Sequence, residues 1–245
     1  MKPPFCRIGS KLGLVSTILP MIPPHLLFVE LFCGSAVITF NKPKIATVIN
    51  DIDTELINSF QLIKSGILID PLPNTLLELN ELYYNPVVTD TDKLLHFFLK
   101  SNHTFSNTGR GKLYKINNKT NNLKLNHFPI YREKLANITI LNQDYRQVIG
   151  LYNNTTTFFF LDPPYENSEV HSLYNKCKSK FDYVELARQV KLIKGMFLLT
   201  INDSPYIRLL FKDFIIKDVT VDGSHASGAV GSKNRPELFI LNYVI

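Results

Sequence analysis

Thr157-Phe158-Phe159-Phe160-Leu161-Asp162-Pro163-Pro164-Tyr165 runs an apolar stretch straight into a carboxylate and two prolines. Large apolar side chains at every position from 158 to 161 leave no polar face for solvent, the pattern of a strand buried on both sides of a parallel sheet. The prolines lack N–H donors and hold φ at about −65°, so the chain must leave the ladder there and present Asp162 and the turn carbonyls at the strand's carboxyl end. Ligands of open α/β sheets bind along that edge. The plain alternative is a turn opened by Asp-Pro with no further role, but an Asp-Pro-Pro-aromatic run after so apolar a strand favours a site.

Working outward, the same β-branched and aromatic enrichment predicts strands at 26–31, 45–50, 137–141, 155–161, 196–201, 214–219 and 237–244. Helical periodicity covers 54–65, 76–84, 93–99 and 183–194, where Leu186, Val190 and Ile193 share a face. The fold class predicted is α/β, three-layer and Rossmann-like, with a seven-stranded, mostly parallel sheet and an antiparallel last strand. The alternation breaks between the second and third strands over 63–134, too long for a simple crossover. That segment is read as an inserted subdomain, loop-like from 101 to 127, between the halves of an α/β domain formed by 1–62 and 135–245.

The chain has 245 residues, 45% hydrophobic and 20% charged, which suits one large domain with an insert. Cys6, Cys33 and Cys177 are odd in number and widely spaced, against a disulfide framework or structural zinc, and no histidine pair has metal-ligand spacing. Pro20, Pro23 and Pro24 break the apolar N-terminal stretch that would otherwise resemble a secretory signal. No run of about 18 apolar residues occurs, so a membrane span is not expected and an intracellular, cytoplasmic protein is. Neither Gly-x-Gly-x-x-Gly nor Gly-x-x-x-x-Gly-Lys-Ser/Thr is present, against dehydrogenase and nucleotide-hydrolase readings.

The net charge of +6 is concentrated. Lys100, Arg110, Lys112, Lys115, Lys119, Lys124, Arg132 and Lys134 face one acid, Glu133, so 100–134 carries +7 and the rest of the chain −1. This Asn-rich stretch suits a phosphate backbone; by composition alone a solvated loop fits as well.

Taken together these residues resemble the Dam-type N6-adenine DNA methyltransferases, which use S-adenosylmethionine and carry an Asp-Pro-Pro-Tyr signature. The resemblance covers nearly the whole chain. Phe28-Val29-Glu30-Leu31-Phe32-Cys33-Gly34-Ser35 is similar to the family's cofactor loop, Asn50-Asp51-Ile52-Asp53 to its second-strand acidic motif, and Asn142-Gln143-Asp144-Tyr145 to its third motif. Arg235-Pro236-Glu237-Leu238-Phe239-Ile240-Leu241-Asn242-Tyr243 looks like its last strand. Phe5-Cys6-Arg7-Ile8-Gly9-Ser10-Lys11 looks like its aromatic-x-Gly-Gly-Lys motif, with Ser10 for the second glycine, and Ala36 stands where the loop commonly has glycine.

The resemblance implies a catalytic set of Asp162, Pro163, Pro164 and Tyr165. It implies cofactor binding by Arg7, Gly9, Lys11, Phe32, Gly34, Asp51, Ile52, Asp144, Tyr145 and Asp162, with Lys11 reaching the cofactor carboxylate and Asp144 its adenine. The acid ending the second strand is also placed to bind ribose hydroxyls on general grounds, with Asp53 the better cap for the following helix. Read alone, Asp144 is a cap or turn residue. Asn102, Asn107, Arg110, Lys112 and Lys115 in the insert, with Lys233 and Arg235, are the candidate DNA contacts.

The chemistry gives these residues a reason. The exocyclic amine of adenine is a poor nucleophile because its lone pair is delocalised into the ring; Asp162 and the Pro163 carbonyl can accept its two protons as hydrogen bonds and localise that pair. A sulfonium methyl is already activated, so transfer needs mainly positioning and charge placement, and no metal. Tyr165 can stack on a base extruded from the duplex. The expected function is methyl transfer to N6 of adenine in double-stranded DNA, with Asp162→Ala abolishing turnover and largely preserving the fold. The altered surroundings of Lys11 and Ala36 motivate a rival, a DNA-binding module that no longer catalyses; RNA adenine or a protein amide are rival acceptors. A restriction endonuclease partner and the oligomeric state stay open.

Overall fold

The computed structural model describes residues 1–73, 75–104, 113, 125–165, 181–221 and 235–245, the side chains of Val221 and Arg235 excepted. Strands β1 (Leu27–Glu30), β2 (Ala46–Asn50), β3 (Ile138–Leu141), β4 (Thr157–Leu161), β5 (Met196–Asn202), β6 (Ile215–Val221) and β7 (Arg235–Leu241) form one seven-stranded sheet. All seven predicted strands are present. Their order is β3-β2-β1-β4-β5-β7-β6, with β7 antiparallel to both neighbours and the other pairs parallel. The antiparallel strand therefore lies inside the sheet, between β5 and β6.

Helices α1 (Val15–Ile18), α2 (Val37–Asn41) and α3 (Thr54–Ser65) lie in the first third of the chain; α4 (Leu76–Tyr84), α5 (Asp90–His103) and α6 (Phe128–Leu135) lie between β2 and β3. Helices α7 (Tyr145–Tyr152), α8 (Tyr183–Val190) and α9 (Pro205–Leu210) alternate with the later strands. Every residue of β4 is buried, as the unbroken apolar run requires, and its alternate side chains feed two cores. Phe159 and Leu161 pack with α7, α8 and α9; Phe158 and Phe160 pack with Leu14, Ile18 and α2.

Helix α3 has its predicted bounds because Asp53 accepts from the backbone N–H groups of Glu55 and Leu56, and Gly66 closes it at φ +94°. Helix α5 begins three residues before its apolar periodicity, where Thr89 and Asp92 form a capping box. Helix α8 stops at Val190, short of the predicted 194: Leu192 and Ile193 N–H groups turn back to Gln189 and Val190 carbonyls, tightening the chain for its entry into β5. The segment between β2 and β3 packs Leu79, Leu94, Phe98, Phe128 and Tyr131 into one apolar cluster with Phe60 of α3 and with Phe5 and Phe40. Its described helices thus share a core with the sheet layer.

Candidate active site

The strand order reverses at β1 and β4: β2 and β3 continue to one side, β5 to the other. Loops leaving the carboxyl ends of two such neighbours diverge and open a crevice. Beyond β1 the chain turns over β2, Leu31 N–H donating to the Phe160 carbonyl at 3.0 Å and Cys33 N–H to that of Asn50 at 2.8 Å. The turn takes two left-handed residues, Gly34 at φ +46° and Ala36 at φ +53°. Ala36 occupies the left-handed region at a steric cost that glycine would avoid, which accounts for glycine suiting that position.

One buried amide clips this edge together. Asn50 Nδ2 donates to the Leu31 and Gln143 carbonyls, each at 3.0 Å, and its Oδ1 accepts from Gln143 N–H at 3.0 Å. Beside it Asp51 accepts from Gly34 N–H at 2.9 Å and Asp53 N–H at 3.0 Å. Burial pushes the Asp51 carboxyl up, while Arg7 and these two donors pull it down. Arg7 itself pairs with Asp53 at 2.9 Å.

Across the crevice, Asp162 leaves β4 and its Oδ1 takes two contacts, Lys11 Nζ at 2.8 Å and Thr200 Oγ1 at 2.9 Å. Lys11 is 3% exposed at its side chain; its ammonium also donates to the Gly9 carbonyl at 3.0 Å and lies 4.8 Å from the Tyr165 ring centroid. Burial raises the Asp162 pKa, with Lys11 and Thr200 acting in the opposite direction. Further along the turn, the Pro164 carbonyl accepts from Tyr183 Oη of α8 at 2.9 Å. Burial first, then the negative charges of Asp162 and Glu237, push the Tyr165 phenol well above its ordinary range.

Beneath the turn Glu30 closes β1 fully buried, its carboxyl taking both the N–H and the hydroxyl of Thr39 in α2. Its pKa is pushed up to about 8, chiefly by burial. Nearby Lys42, which donates to Thr47 Oγ1 at 2.7 Å, is lowered to about 8 by the same cause.

The predicted site residues thus assemble in part. Gly9, Asp162 and Tyr165 each meet the Lys11 ammonium, and Gly34 and Asp51 meet on the β2 side of the crevice. Lys11, expected toward a cofactor carboxylate, here reaches the Asp162 carboxylate. Phe32 packs on Tyr145 with centroids 5.2 Å apart, and Phe181 closes against both. Ile52 is 55% exposed next to Asp51. Asp144 caps α7 through Arg146 N–H and is held below the usual carboxylate range by the Arg146 guanidinium, 2.7 Å away.

Asn102 donates its amide to the carbonyls of Phe98 at 3.0 Å and Pro4 at 3.3 Å, tying α5 to the N-terminal segment. Asn107, Arg110, Lys112, Lys115 and Lys233 lie outside the described residues, as does the side chain of Arg235. Among the described residues no group of three or more His, Cys, Asp or Glu could hold a metal ion, and no helix is long and apolar enough to cross a membrane. Sequence reading missed Thr200, Tyr183, Glu30 and Asn50 as site-building residues. The available signal was a polar residue inside or ending an apolar strand, which holds for Glu30, Asn50 and Thr200; nothing local marks Tyr183.

Residues 8–222 match the model of the D12 class N6 adenine-specific DNA methyltransferases. The chain belongs to this family. It is 31% identical over 117 residues to the Type II methyltransferase M.CviBI of Paramecium bursaria Chlorella virus NC1A, an alignment covering 46% of this chain and 44% of that relative. It is 24% identical over 255 aligned positions to the Type II methyltransferase M1.LlaDCHI of Lactococcus lactis subsp. cremoris, covering 88% and 86% of the two chains. A precorrin 8w decarboxylase of Methanobacterium thermoautotrophicum is similar in structure at a TM-score of 0.45 and 10% identity, covering 100% of both chains, a likeness too loose to argue from. The D12 class match includes Gly9, Lys11, Gly34, Asp51, Asp162, Tyr165 and Thr200; Arg7 and β7 fall outside it.

Proposed function

We propose that the protein transfers a methyl group from S-adenosylmethionine to N6 of an adenine turned out of double-stranded DNA. The observation that carries this reading is the Asp162–Tyr165 turn at the switch point. Both contacts to the Asp162 carboxylate among the described residues fall on Oδ1, which leaves Oδ2 to accept one N6 proton while the Pro163 carbonyl accepts the other. Accepting both protons localises the amine's lone pair. Tyr165 provides a face for the base, and its stacking offsets part of the unstacking cost.

Several features of the crevice suit the cofactor. A Cβ placed on Gly9 or Gly34 would meet no atom within 4 Å, and both glycines have positive φ, so backbone faces open space on each side. Asp51 keeps acceptor capacity beyond its two backbone donors for ribose hydroxyls, Ile52 supplies an apolar surface, and Asp144 lies at the same edge. Arg7, Lys11, Phe32 and Tyr145 complete the proposed binding set. When bound, the cofactor supplies an activated methyl group on a sulfonium. The residues then contribute positioning and charge placement; the amine must lose one proton after alkylation, and Asp162, made less acidic by burial, serves to receive it.

The +7 stretch over 100–134 supports duplex DNA as the partner, with Asn107, Arg110, Lys112, Lys115, Lys233 and Arg235 as its proposed contacts; Asn102 takes the lesser part, since its amide is engaged within the fold. The proposed division is a catalytic domain of residues 1–62 and 135–245 with target recognition by 63–134. The Type II names of both relatives support a role beside a restriction endonuclease. The test is transfer of labelled methyl from S-adenosylmethionine to unmethylated genomic DNA, with nucleoside analysis of the digest and parallel reactions on structured RNA and protein. Label in N6-methyladenine of DNA is expected. Label in another acceptor, or none from a folded chain that binds DNA, overturns the proposal.

A further inference from the structure

From Phe197 to Ile201 every β5 side chain is apolar and fully buried except Thr200, whose hydroxyl-bearing side chain is buried as completely. A hydroxyl sealed into an apolar layer is costly unless it is hydrogen-bonded. Strands β4 and β5 run parallel with Leu161 paired to Leu199, so Thr200 stands one step further along, beside the point where β4 gives way to the Asp-Pro-Pro-Tyr turn. Its Oγ1 lies 2.9 Å from Asp162 Oδ1 and 3.5 Å from the Leu161 carbonyl. A hydroxyl has one hydrogen to give, and the shorter, charge-assisted contact takes it.

The two donors on Asp162 differ in kind. Lys11 brings a compact charge on a flexible four-carbon stem, from the short turn Lys11–Leu14, and by itself leaves the carboxylate free to pivot about the contact. Thr200 is β-branched, with few rotamers open to it. Its strand is held on both sides, by β4 and by β7, where it is paired with Phe239. The hydroxyl therefore approaches Asp162 from a direction that the sheet itself fixes.

We propose that Thr200 is a positioning residue for methyl transfer, its hydroxyl fixing Asp162 Oδ1 so that Oδ2 stands ready for the adenine amine. The inference rests on the adenine methyltransferase reading. Thr200 is 0% exposed, so it acts through Asp162 and not on the base. The same hydrogen bond favours the charged carboxylate, against the burial that disfavours it.

The experiment compares, in the full chain, Thr200→Val, which deletes the hydroxyl at nearly constant shape, with Thr200→Ser, which keeps it. In single-turnover reactions on duplex DNA carrying the mapped target, Thr200→Val should transfer methyl at least about tenfold more slowly, the loss of one hydrogen bond to a charged group, while Thr200→Ser stays within about threefold of wild type. Affinities for S-adenosylmethionine by calorimetry and for the duplex by fluorescence anisotropy should not move. The acid limb of the rate against pH should shift upward in Thr200→Val, because the carboxylate loses a donor that favours its charged form. Lys11, Glu30 and Tyr165, titratable groups that interact with the same carboxylate, are unchanged by the substitution. A loosened fold alone would lower the rate without that shift. If Thr200→Val fails to fold, Thr200→Ala takes its place.

A Thr200→Val rate equal to wild type, a Thr200→Ser variant as slow as Thr200→Val, a slowed Thr200→Val with an unmoved acid limb, or a loss confined to the affinities overturns the positioning role while the methyltransferase reading stands. A wild-type chain that transfers nothing to adenine in DNA overturns both.

Discussion

Replacing Asp162 by alanine tests the proposed chemistry, and its contacts predict a cost to the fold as well. Lys11 is 3% exposed and pairs with a carboxylate that is itself 19% exposed. Removing one partner of a buried pair typically costs about 3–5 kcal/mol, because the charge left behind has no counter-charge and little water. Here the acid's residual exposure and the Gly9 carbonyl on the ammonium reduce that to about 2–3 kcal/mol. Lys11→Met removes the stranded charge. The Lys11→Met/Asp162→Ala double variant is therefore expected to be more stable than Asp162→Ala by about 1–2 kcal/mol, although both lack activity. Urea unfolding at pH 7, followed by circular dichroism and extrapolated linearly, measures all the differences on one scale. An Asp162→Ala variant within about 0.5 kcal/mol of wild type, or a double variant less stable than the single, would refute the idea that the pair's ionic partnership matters to the fold.

Two further outcomes follow from the same region. Glu30 titrates at about 8 in the fold against an ordinary value of 4.5, so the fold favours its neutral form and stability is lost as pH rises from the lower value toward the higher. Glu30→Gln, neutral throughout, should gain about 2.5 kcal/mol on wild type between pH 5 and pH 7 in urea unfolding; a pH-independent difference would contradict this. Lys42, lowered to about 8, moves stability in the opposite direction only above that pH and does not mask the window. Gly34→Ala at φ +46° should cost about 1–2 kcal/mol of stability through backbone strain. Its methyl would also project into the open crevice and weaken S-adenosylmethionine binding by at least about tenfold in calorimetry; unchanged affinity would place the cofactor elsewhere.

Much of the architecture was legible before any coordinates. Strands such as β4 announce themselves because burial on both faces demands uninterrupted apolar side chains, and α3 because Asp53 and Gly66 cap a periodic stretch. The short helices α2, α7 and α9, of 5, 8 and 6 residues, were not legible. Segments of one to two turns show little periodicity, and the packing of their buried residues against the sheet stabilises them more than propensity does. Asp144 illustrates two roles on one residue: it caps α7, as an isolated reading suggests, and still lies at the edge where the nucleoside is proposed to bind.

The site divides the same way. Asp162, Pro163, Pro164 and Tyr165 are contiguous, and two prolines after an apolar strand have few structural outcomes, so the turn and the chemistry proposed for it could be read from residue types alone. Their supports come from elsewhere in the chain: Lys11 from the N-terminal segment, Thr200 from β5 and Tyr183 from α8. A threonine in an apolar strand or a tyrosine opening a helix has no local feature that names its partner. Sequence by itself determined the alternating α/β plan, the Asp-Pro-Pro-Tyr turn at the end of a buried strand and the concentration of basic charge over 100–134, because those depend on local periodicity, backbone restriction and summed charge. Only the tertiary structure decided that β7 slots between β5 and β6, that Lys11 closes on Asp162, and that Thr200 of β5 reaches the same carboxylate, because each depends on which distant segments become neighbours and in what register.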